Sequence, residues 1–175
     1  MELSFEIDKI TESIELAKTN ERFETIISSV KVQDLKVVTK KNGWKFNWKQ
    51  ELNQQQRQVY KLSTEKEPNL IQGLVSLEIR EKDKFIFMHL IENSPLNIGH
   101  NKLYRGVCAN LVAYGCKLSV EHGFEGYLSF DAKTSLIEHY QKSLGAIHIG
   151  GQKMIIDSAT AFKLISRYFS NKEEI

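Results

Sequence analysis

The sequence contains few of the residues that build disulfides, metal centres or common hydrolytic sites. It has only two cysteines in 175 residues, Cys108 and Cys116. Their spacing places both in one helical stretch, so a bridge across a loop and a C-x-x-C metal site are not expected. The five histidines form no i, i+4 pair, and neither a G-x-S-x-G elbow nor a Walker-type loop is present. We therefore expect no metal centre, serine hydrolase or nucleotide triphosphatase.

An excess of one charge and long hydrophobic runs are also missing. The 24 basic and 22 acidic residues give a net charge of +2 and are spread along the chain, unlike the clustered basic face of nucleic-acid-binding proteins. No apolar run approaches the roughly 18 residues of a membrane span. Residues 1–6 lack the basic lead and apolar run of a secretory signal. We expect a cytoplasmic protein without nucleic-acid or membrane partners.

What the sequence does contain is typical of one globular domain. The hydrophobic fraction is 41% and the aromatic fraction is 10%, enough to bury an ordinary core. A length of 175 residues fits the usual size of a single domain. We therefore treat residues 1–175 as one domain.

The middle of the chain has the pattern of β-strands. Residues 59–62 and 71–79 are rich in β-branched and apolar side chains, and the turn residues at 67–69 between them predict a hairpin. Residues 85–91 are almost continuously apolar, which is typical of a central strand covered on both faces. Pro95 predicts the end of that strand.

The first third of the chain is less decisive. The apolar residues among the first forty fit short helices or a strand–helix pair. Aromatic and polar residues alternate from Trp44 to Trp48, which favours an extended segment with both tryptophans on one face. That face suits either a hydrophobic cluster or a ligand platform. The polar run at 49–57 favours a surface loop.

An amphipathic helix follows the central strand. Apolar residues recur with helical spacing between residues 107 and 122, and Gly123 marks the end of the helix. A short apolar segment at 126–130 predicts the next strand. A strand, a helix and a strand joined in this way should be a right-handed crossover between parallel strands. This unit gives the mixed α/β class.

The last part of the chain predicts two helices and a hairpin. Apolar residues with helical spacing end at Gly145, where a second helix should stop. Segments 146–149 and 154–157 resemble a closing hairpin across two glycines. A last amphipathic helix should cover about 161–169 and run into a frayed, charged tail at 171–174.

The entry to the 107–122 helix is the most informative place for chemistry. The first amides of a helix have no partners inside the helix and lie at the positive end of its dipole, so they attract anions. Gly106, which precedes the helix, can approach a ligand closely or adopt an unusual dihedral. One glycine before a helix is also the pattern of an ordinary turn, so this site needs support from its surroundings.

That support comes from the order of the motifs, which resembles the GNAT N-acetyltransferase superfamily. Its coenzyme loop has the form Gln/Arg-x-x-Gly-x-Gly/Ala, and residues 103–108, Leu-Tyr-Arg-Gly-Val-Cys, match it through Gly106. Its aromatic helix motif, Ala-x-x-x-Tyr-x-x-x-x-Gly, is matched by Leu136, Tyr140 and Gly145. The resemblance implies a mixed sheet flanked by helices, with the coenzyme-binding half at about 71–157.

The resemblance also implies an activity and its residues. An amine of an unidentified acceptor would attack acetyl-CoA directly, without a metal. Tyr140 takes the place of the general acid, and Glu92, at the end of the central strand, is the candidate base. His89 is the alternative base, expected on the opposite face of the pleat. The implied coenzyme-binding residues are Leu90, Ile91, Tyr104, Arg105, Gly106, Val107, Cys108, Ala109, Lys133 and Tyr140.

Three departures from the family motifs leave other functions open. Leu103 replaces a polar residue, Cys108 replaces glycine or alanine, and Lys133 stands where asparagine is usual. The alternatives are a catalytically silent domain that binds acetyl-CoA and an interaction module that binds none. Residues 93–100 lengthen the connection after the central strand, which resembles a subgroup with an extended loop.

Overall fold

The protein is described by a computed structural model that covers residues 1–11 and 13–169. Its strands are β1 (Ile14–Leu16), β2 (Arg22–Phe23), β3 (Thr25–Ser29), β4 (Arg57–Thr64), β5 (Gly73–Arg80), β6 (Phe85–Asn93), β7 (Tyr104–Arg105), β8 (Leu128–Asp131), β9 (Ile147–His148) and β10 (Lys153–Ile156). Its α-helices are α1 (Trp48–Leu52), α2 (Val107–Glu121), α3 (Ile137–Leu144) and α4 (Ser158–Phe169). The tail expected to fray at 171–174 lies outside the described residues.

A mixed sheet of seven strands organises the fold. Its order is β3-β4-β5-β6-β8-β10-β9, in which β6 and β8 are parallel and every other neighbouring pair is antiparallel. The predicted hairpin β4–β5, the central strand β6 and the closing hairpin β9–β10 are confirmed. The predicted α/β class, a mixed sheet flanked by helices, is confirmed with them.

Helix α2 connects the two parallel strands and covers one face of the sheet. It begins at Val107 and ends at Glu121, within one residue of the prediction. Gly115 allows the close approach, because a Cβ there would collide with Leu128 Cδ1 and lie 3.5 Å from Leu77 Cδ2. The buried side of α2 packs on β5, β6 and β8 and places the start of the helix beside the end of β6.

Helix α3 ends at a glycine cap, and helix α4 begins at an aspartate cap. Gly145 ends α3 in the left-handed conformation, with φ of 73°, as its position in the sequence predicts. The carboxylate of Asp157 accepts a hydrogen bond from the amide of Thr160 at 3.0 Å and caps α4. Of the helices that the structure describes, none is long and apolar enough to cross a membrane.

The region around the two tryptophans differs from the prediction. The side chain of Asn47 accepts a hydrogen bond from the amide of Gln50 and starts α1, so the chain turns at this point and does not continue as a strand. Residues 49–52, expected in a loop, are therefore helical. Both tryptophans are buried, at 6% and 1% exposure, and belong to the hydrophobic core. The hydrophobic-cluster alternative is the one that the structure supports.

An additional segment precedes the seven-stranded sheet. Residues 1–23 come before β3. Strand β1 of this segment pairs with β2 and also with β7, which immediately precedes α2. Residues 3–11, which we call the strap, lead from β8, where Leu3 bridges to Ala132, to the start of α2, where Asp8 bonds to Gly106. The early region predicted as short helices or a strand–helix pair contains short strands and a 3-10 turn at Val32–Val37.

Candidate active site

The candidate site is a cleft that opens where β6 and β8 separate. The two parallel strands pair at Ile86–Leu128 and Phe87–Ser129. Strand β6 continues to Asn93 and β8 continues to Asp131, without further registered pairs between them. A gap between two parallel strands exposes backbone donors and acceptors that a ligand or another chain segment can satisfy.

The strap lies in this gap and bonds to the β8 side. The amide of Leu3 donates to the carbonyl of Asp131 at 2.7 Å, and the amide of Lys133 donates to the carbonyl of Leu3 at 2.8 Å. These two bonds form an isolated parallel bridge between Leu3 and Ala132. The strap therefore adds a short strand to β8 inside the cleft.

The middle of the strap packs against the candidate general acid. The ring of Phe5 stacks on the ring of Tyr140, with centroids 4.5 Å apart, and lies 5.6 Å from the ring of Phe130. The hydroxyl of Tyr140 donates a 2.6 Å hydrogen bond to the carbonyl of Phe5. Burial raises the pKa of Tyr140, so its hydroxyl stays protonated and acts as a donor.

The next part of the strap places an anion at the start of α2. The carboxylate of Asp8 accepts a hydrogen bond from the amide of Gly106 at 3.1 Å and another from Lys102 Nζ at 3.2 Å. Gly106 has φ of 88° and is the N-terminal capping residue of α2. The helix entrance that the sequence predicts as an anion site thus holds an anion, and this anion is supplied by the chain itself.

A cavity of about 260 Å³ remains between the strap and β6. Ile91, Glu92 and Asn93 line it from β6, Phe5 and Asp8 line it from the strap, and Cys108 lines it from α2. The structure therefore brings together several of the predicted site residues at one end of the cleft.

Glu92 is buried beside this cavity and is already hydrogen-bonded. Its carboxylate accepts from the amide of Lys45 at 2.7 Å, from the amide of Phe46 at 3.4 Å and from Trp48 Nε1 at 2.8 Å. These bonds connect the end of β6 to the segment that leads into α1. Glu92 thus has a clear structural role in addition to its position at the cavity.

His89 does not lie on the face that the sequence predicts. The pairing of β5 with β6 contains a bulge opposite Ser76 and Leu77, and the extra residue there is His89. His89 Nε2 lies 2.7 Å from Glu78 Oε1, and Glu92 pairs with Leu74. Since residues 74 and 78 share a face of β5, His89 and Glu92 lie on the same face of the sheet, and the prediction of opposite faces is wrong.

The remaining residues implied by the resemblance have different positions. Leu90 and Ile91 are buried in β6, and Tyr104 and Arg105 form β7, which pairs with Leu16 and Glu15 of β1. Residues 106–109 form the buried start of α2. Lys133 has an exposed side chain and contacts the strap through its backbone amide.

The two thiols are buried and stay protonated. Burial raises the pKa of Cys108, and the nearby carboxylate of Asp8 raises it further. Burial also raises the pKa of Cys116, which lies on the core side of α2. Among residues 1–11 and 13–169, no group of three histidine, cysteine or acidic side chains could hold a metal ion.

The strap is the part of the site that the sequence analysis missed. Its apolar residues Leu3, Phe5 and Ile7 are buried, and the residues between them are exposed. This alternation with a period of two is the pattern of a half-buried strand. The pattern is visible in the sequence, but its position in the cleft depends on tertiary contacts.

Comparison by sequence finds no relative for this chain. No family model and no curated protein sequence matches it. Solved structures match the chain by fold. Two of them are structures of one spermidine N-acetyltransferase, and a third is a complex of a toxin with acetyl-CoA.

The spermidine N-acetyltransferase of Vibrio cholerae, in a dodecameric intermediate state, matches with a TM-score of 0.57 at 13% identity, over 86% of this chain and 99% of that chain. The same enzyme in complex with CoA and spermine matches with a TM-score of 0.54 at 11% identity, over 79% and 98%. A mutant AtaT toxin, bound to acetyl-CoA and the C-terminus of the antitoxin AtaR, matches with a TM-score of 0.56 at 15% identity, over 82% and 99%. The chain therefore has the fold of the GNAT acetyltransferases.

Proposed function

We propose that the protein is an N-acetyltransferase that moves an acetyl group from acetyl-CoA to an amine by direct attack. The observation that carries this proposal is the hydrogen bond from the Gly106 amide to the carboxylate of Asp8, at the end of a cleft between two separating parallel strands. A helix start of this kind binds phosphate groups well, because several amides and the helix dipole act together.

The residues around the cleft fit the parts of such a coenzyme. The amides of residues 105–109 would take the pyrophosphate where the carboxylate of Asp8 lies. The end of β6 that has no registered pairs with β8, with Leu90 and Ile91, would line the arm that carries the thioester. Lys133 lies at the β8 side of the cleft and is available to the coenzyme arm.

The chemistry requires one donor and one proton acceptor. The amine nitrogen forms a bond to the acetyl carbon, the bond between carbon and sulfur breaks, and the sulfur takes a proton from the hydroxyl of Tyr140. The amine loses its proton to a base, for which we propose Glu92 because this residue lines the cavity. Glu92 would do this while holding the segment at residues 45–48 in place.

The structural matches suggest which amines to test first. The Vibrio cholerae enzyme is named as a spermidine N-acetyltransferase and was solved with spermine. We propose polyamines as the first probes, without assigning the acceptor. We also propose one domain over residues 1–175 and a reducing, cytoplasmic location, where two unpaired thiols such as Cys108 and Cys116 persist.

A second candidate function is an interaction module that binds no coenzyme, and the strap favours it. Residues 3–8 occupy the cleft, and Tyr140 donates to the strap. If this closed form is permanent, the fold binds no coenzyme and serves as an interaction module.

Two measurements separate these functions. A melting curve with millimolar acetyl-CoA tests binding, since a ligand at a hundredfold excess over its Kd stabilises the native state by about 2.7 kcal/mol. An assay for free thiol with a panel of amines, starting with spermidine and spermine, tests transfer. Binding together with thiol release supports the enzyme. Binding without release from any amine supports a catalytically silent domain, and the absence of binding supports the interaction module.

A further inference from the structure

We propose that the strap is an internal competitor of the coenzyme, so that the cleft is autoinhibited and acetyl-CoA binds only when the strap leaves. This inference rests on the proposed function, because the coenzyme and the strap must need the same cleft. It concerns residues of this chain that the family motifs do not include.

The first argument is the place that the strap occupies. Leu3 bonds through its amide and its carbonyl to the backbone of β8, on the side of the gap that faces β6. Phe5 covers Tyr140 and takes the hydrogen bond of its hydroxyl at 2.6 Å. While the strap is bound, Tyr140 has no free hydroxyl proton to give to a departing thiolate.

The negative charge of Asp8 also opposes the coenzyme. The carboxylate of Asp8 bonds to the amide of Gly106 and to Lys102 Nζ. A pyrophosphate at the same amide would bring a second anion against that carboxylate, and like charges at contact distance in a partly buried site repel strongly. The two anions therefore exclude each other.

The cavity that remains beside the strap is also small for the coenzyme. With the strap bound, the cavity beside β6 has a volume of about 260 Å³. Sites for drug-sized ligands usually measure about 300–1,000 Å³. A molecule as long as acetyl-CoA needs the volume that the strap fills.

The fourth argument is that the strap can be released without unfolding the sheet. Besides the bonds of Leu3, Phe5 and Asp8, the amide of Ile7 donates to His139 Nε2 at 3.0 Å and the amide of Thr11 donates to the hydroxyl of Tyr168 at 3.0 Å. The side chains of Leu3, Phe5 and Ile7 are also buried, but the strap meets β8 through an isolated bridge and is not a strand of the seven-stranded sheet. A segment outside the sheet opens at a lower free energy than the whole domain.

Competition of this kind has a simple quantitative form. If the fraction of molecules with an open strap is small, the measured Kd for acetyl-CoA equals the intrinsic Kd divided by that fraction. A substitution that weakens the strap raises the open fraction and lowers the measured Kd by the same factor. The measured Kd stops falling when the strap is open in every molecule, where it equals the intrinsic Kd.

Two variants weaken the strap in different ways. Asp8→Asn removes the charge that faces the pyrophosphate and keeps the size of the side chain. Phe5→Ala removes the ring that stacks on Tyr140. Glu2→Gln is the matched control, because it also removes one carboxylate, from an exposed residue next to the strap.

The thiol of Cys108 reports strap opening without any coenzyme. It lines the cavity beside the strap and is 2% exposed, whereas Cys116 lies in the core at 0% exposure. Alkylation followed by mass spectrometry gives the rate at each thiol in one sample. Asp8→Asn and Phe5→Ala should speed the reaction of Cys108 and leave Cys116 slow, which excludes global unfolding as the cause.

The test combines these rates with calorimetric titration of acetyl-CoA into the wild type and the three variants. The proposal expects Asp8→Asn and Phe5→Ala to raise the alkylation rate of Cys108 and the affinity for acetyl-CoA, each by about tenfold or more, while Glu2→Gln changes neither. Faster alkylation with unchanged affinity overturns the competition but leaves the coenzyme function intact. Unchanged alkylation of Cys108 in both strap variants also overturns it. Faster alkylation with no coenzyme binding in any variant overturns the proposed function and the competition together.

Discussion

The carboxylate of Asp8 accepts a hydrogen bond from the backbone amide of Gly106, 98 positions later in the chain, at 3.1 Å. This contact joins the strap to the start of α2. It explains how an anion-binding helix start can be stable without a ligand, because a carboxylate of the same chain satisfies an amide at its positive end.

The first prediction concerns Gly106. Its φ of 88° disfavours a side chain, and a Cβ would collide with Thr11 Oγ1 and lie 3.1 Å from the carbonyl of Ser13. Gly123 is a matched control, with φ of 78° and nothing within 4 Å of an added Cβ. Both alanine variants should lose about 1–2 kcal/mol of unfolding free energy from the backbone. Gly106→Ala should lose about 1 kcal/mol more, as measured by urea unfolding; equal losses would show that the strap does not press on Gly106.

The second prediction concerns Tyr140. Tyr140→Phe leaves the buried carbonyl of Phe5 without its donor and should lower the unfolding free energy by about 1–3 kcal/mol. If the hydroxyl is also the general acid, thiol release should fall by about 10²–10⁴-fold. Tyr168→Phe is the control, because it removes a bond to Thr11 of the strap and leaves Tyr140 intact. Turnover that survives Tyr140→Phe at the wild-type rate would assign Tyr140 to packing alone.

The third prediction concerns Glu92. Glu92→Gln presents one oxygen and one amide group, so it cannot accept all the bonds from Lys45, Phe46 and Trp48. We expect a loss of about 1–3 kcal/mol of unfolding free energy and a change in tryptophan fluorescence. Where an acceptor amine is found, thiol release should fall as well, at saturating coenzyme. A variant as stable as Glu2→Gln would contradict the structural role of the carboxylate.

The fourth prediction is a pH dependence of stability. Burial lowers the pKa of His89, although the hydrogen bond to Glu78 opposes this shift. The unfolded imidazole takes up a proton near pH 6.5, while the folded one stays neutral to lower pH. The unfolded state thus binds more protons in this window, and stability should fall as the pH drops below about 6.5, by up to about 1.4 kcal/mol per pH unit.

His89→Gln tests whether His89 causes this change of unfolding free energy with pH, since glutamine keeps a donor towards Glu78 and cannot titrate. The unfolding free energy of this variant should change less between pH 7 and 5 than that of the wild type. His100→Gln, at an exposed position, is the control and should keep the wild-type slope. An unchanged slope in His89→Gln would mean that other groups cause the acid sensitivity.

Much of the fold could be predicted from the sequence because its strongest signals are local. The continuous apolar run of β6 and the helical spacing of α2 reflect burial on known faces, and Gly145 ends α3 where the pattern stops. The start of α1 was missed because one side chain, Asn47, caps a helix inside a segment with alternating aromatics. The cap of Asn47 therefore determines the local structure, although the alternating aromatic residues favour a strand.

The candidate site was harder to predict because it depends on contacts between distant residues. The family motifs point to residues 103–108 and to Tyr140, but the bulge that turns His89 to the face of Glu92 leaves no periodic signal. The strap does show an alternating pattern from Leu3 to Ile7, yet its docking against β8 and Tyr140 is fixed only by the folded chain.

The central claim is that the cleft between β6 and β8 binds acetyl-CoA, and calorimetric titration of the wild type and Asp8→Asn tests it most directly. The account predicts saturable binding with one site per chain, and tighter binding in Asp8→Asn than in the wild type. Binding should be weakened or lost when desulfo-pantetheine, which lacks the pyrophosphate, replaces the coenzyme. The absence of binding at millimolar acetyl-CoA in both proteins, each shown to be folded, would contradict it.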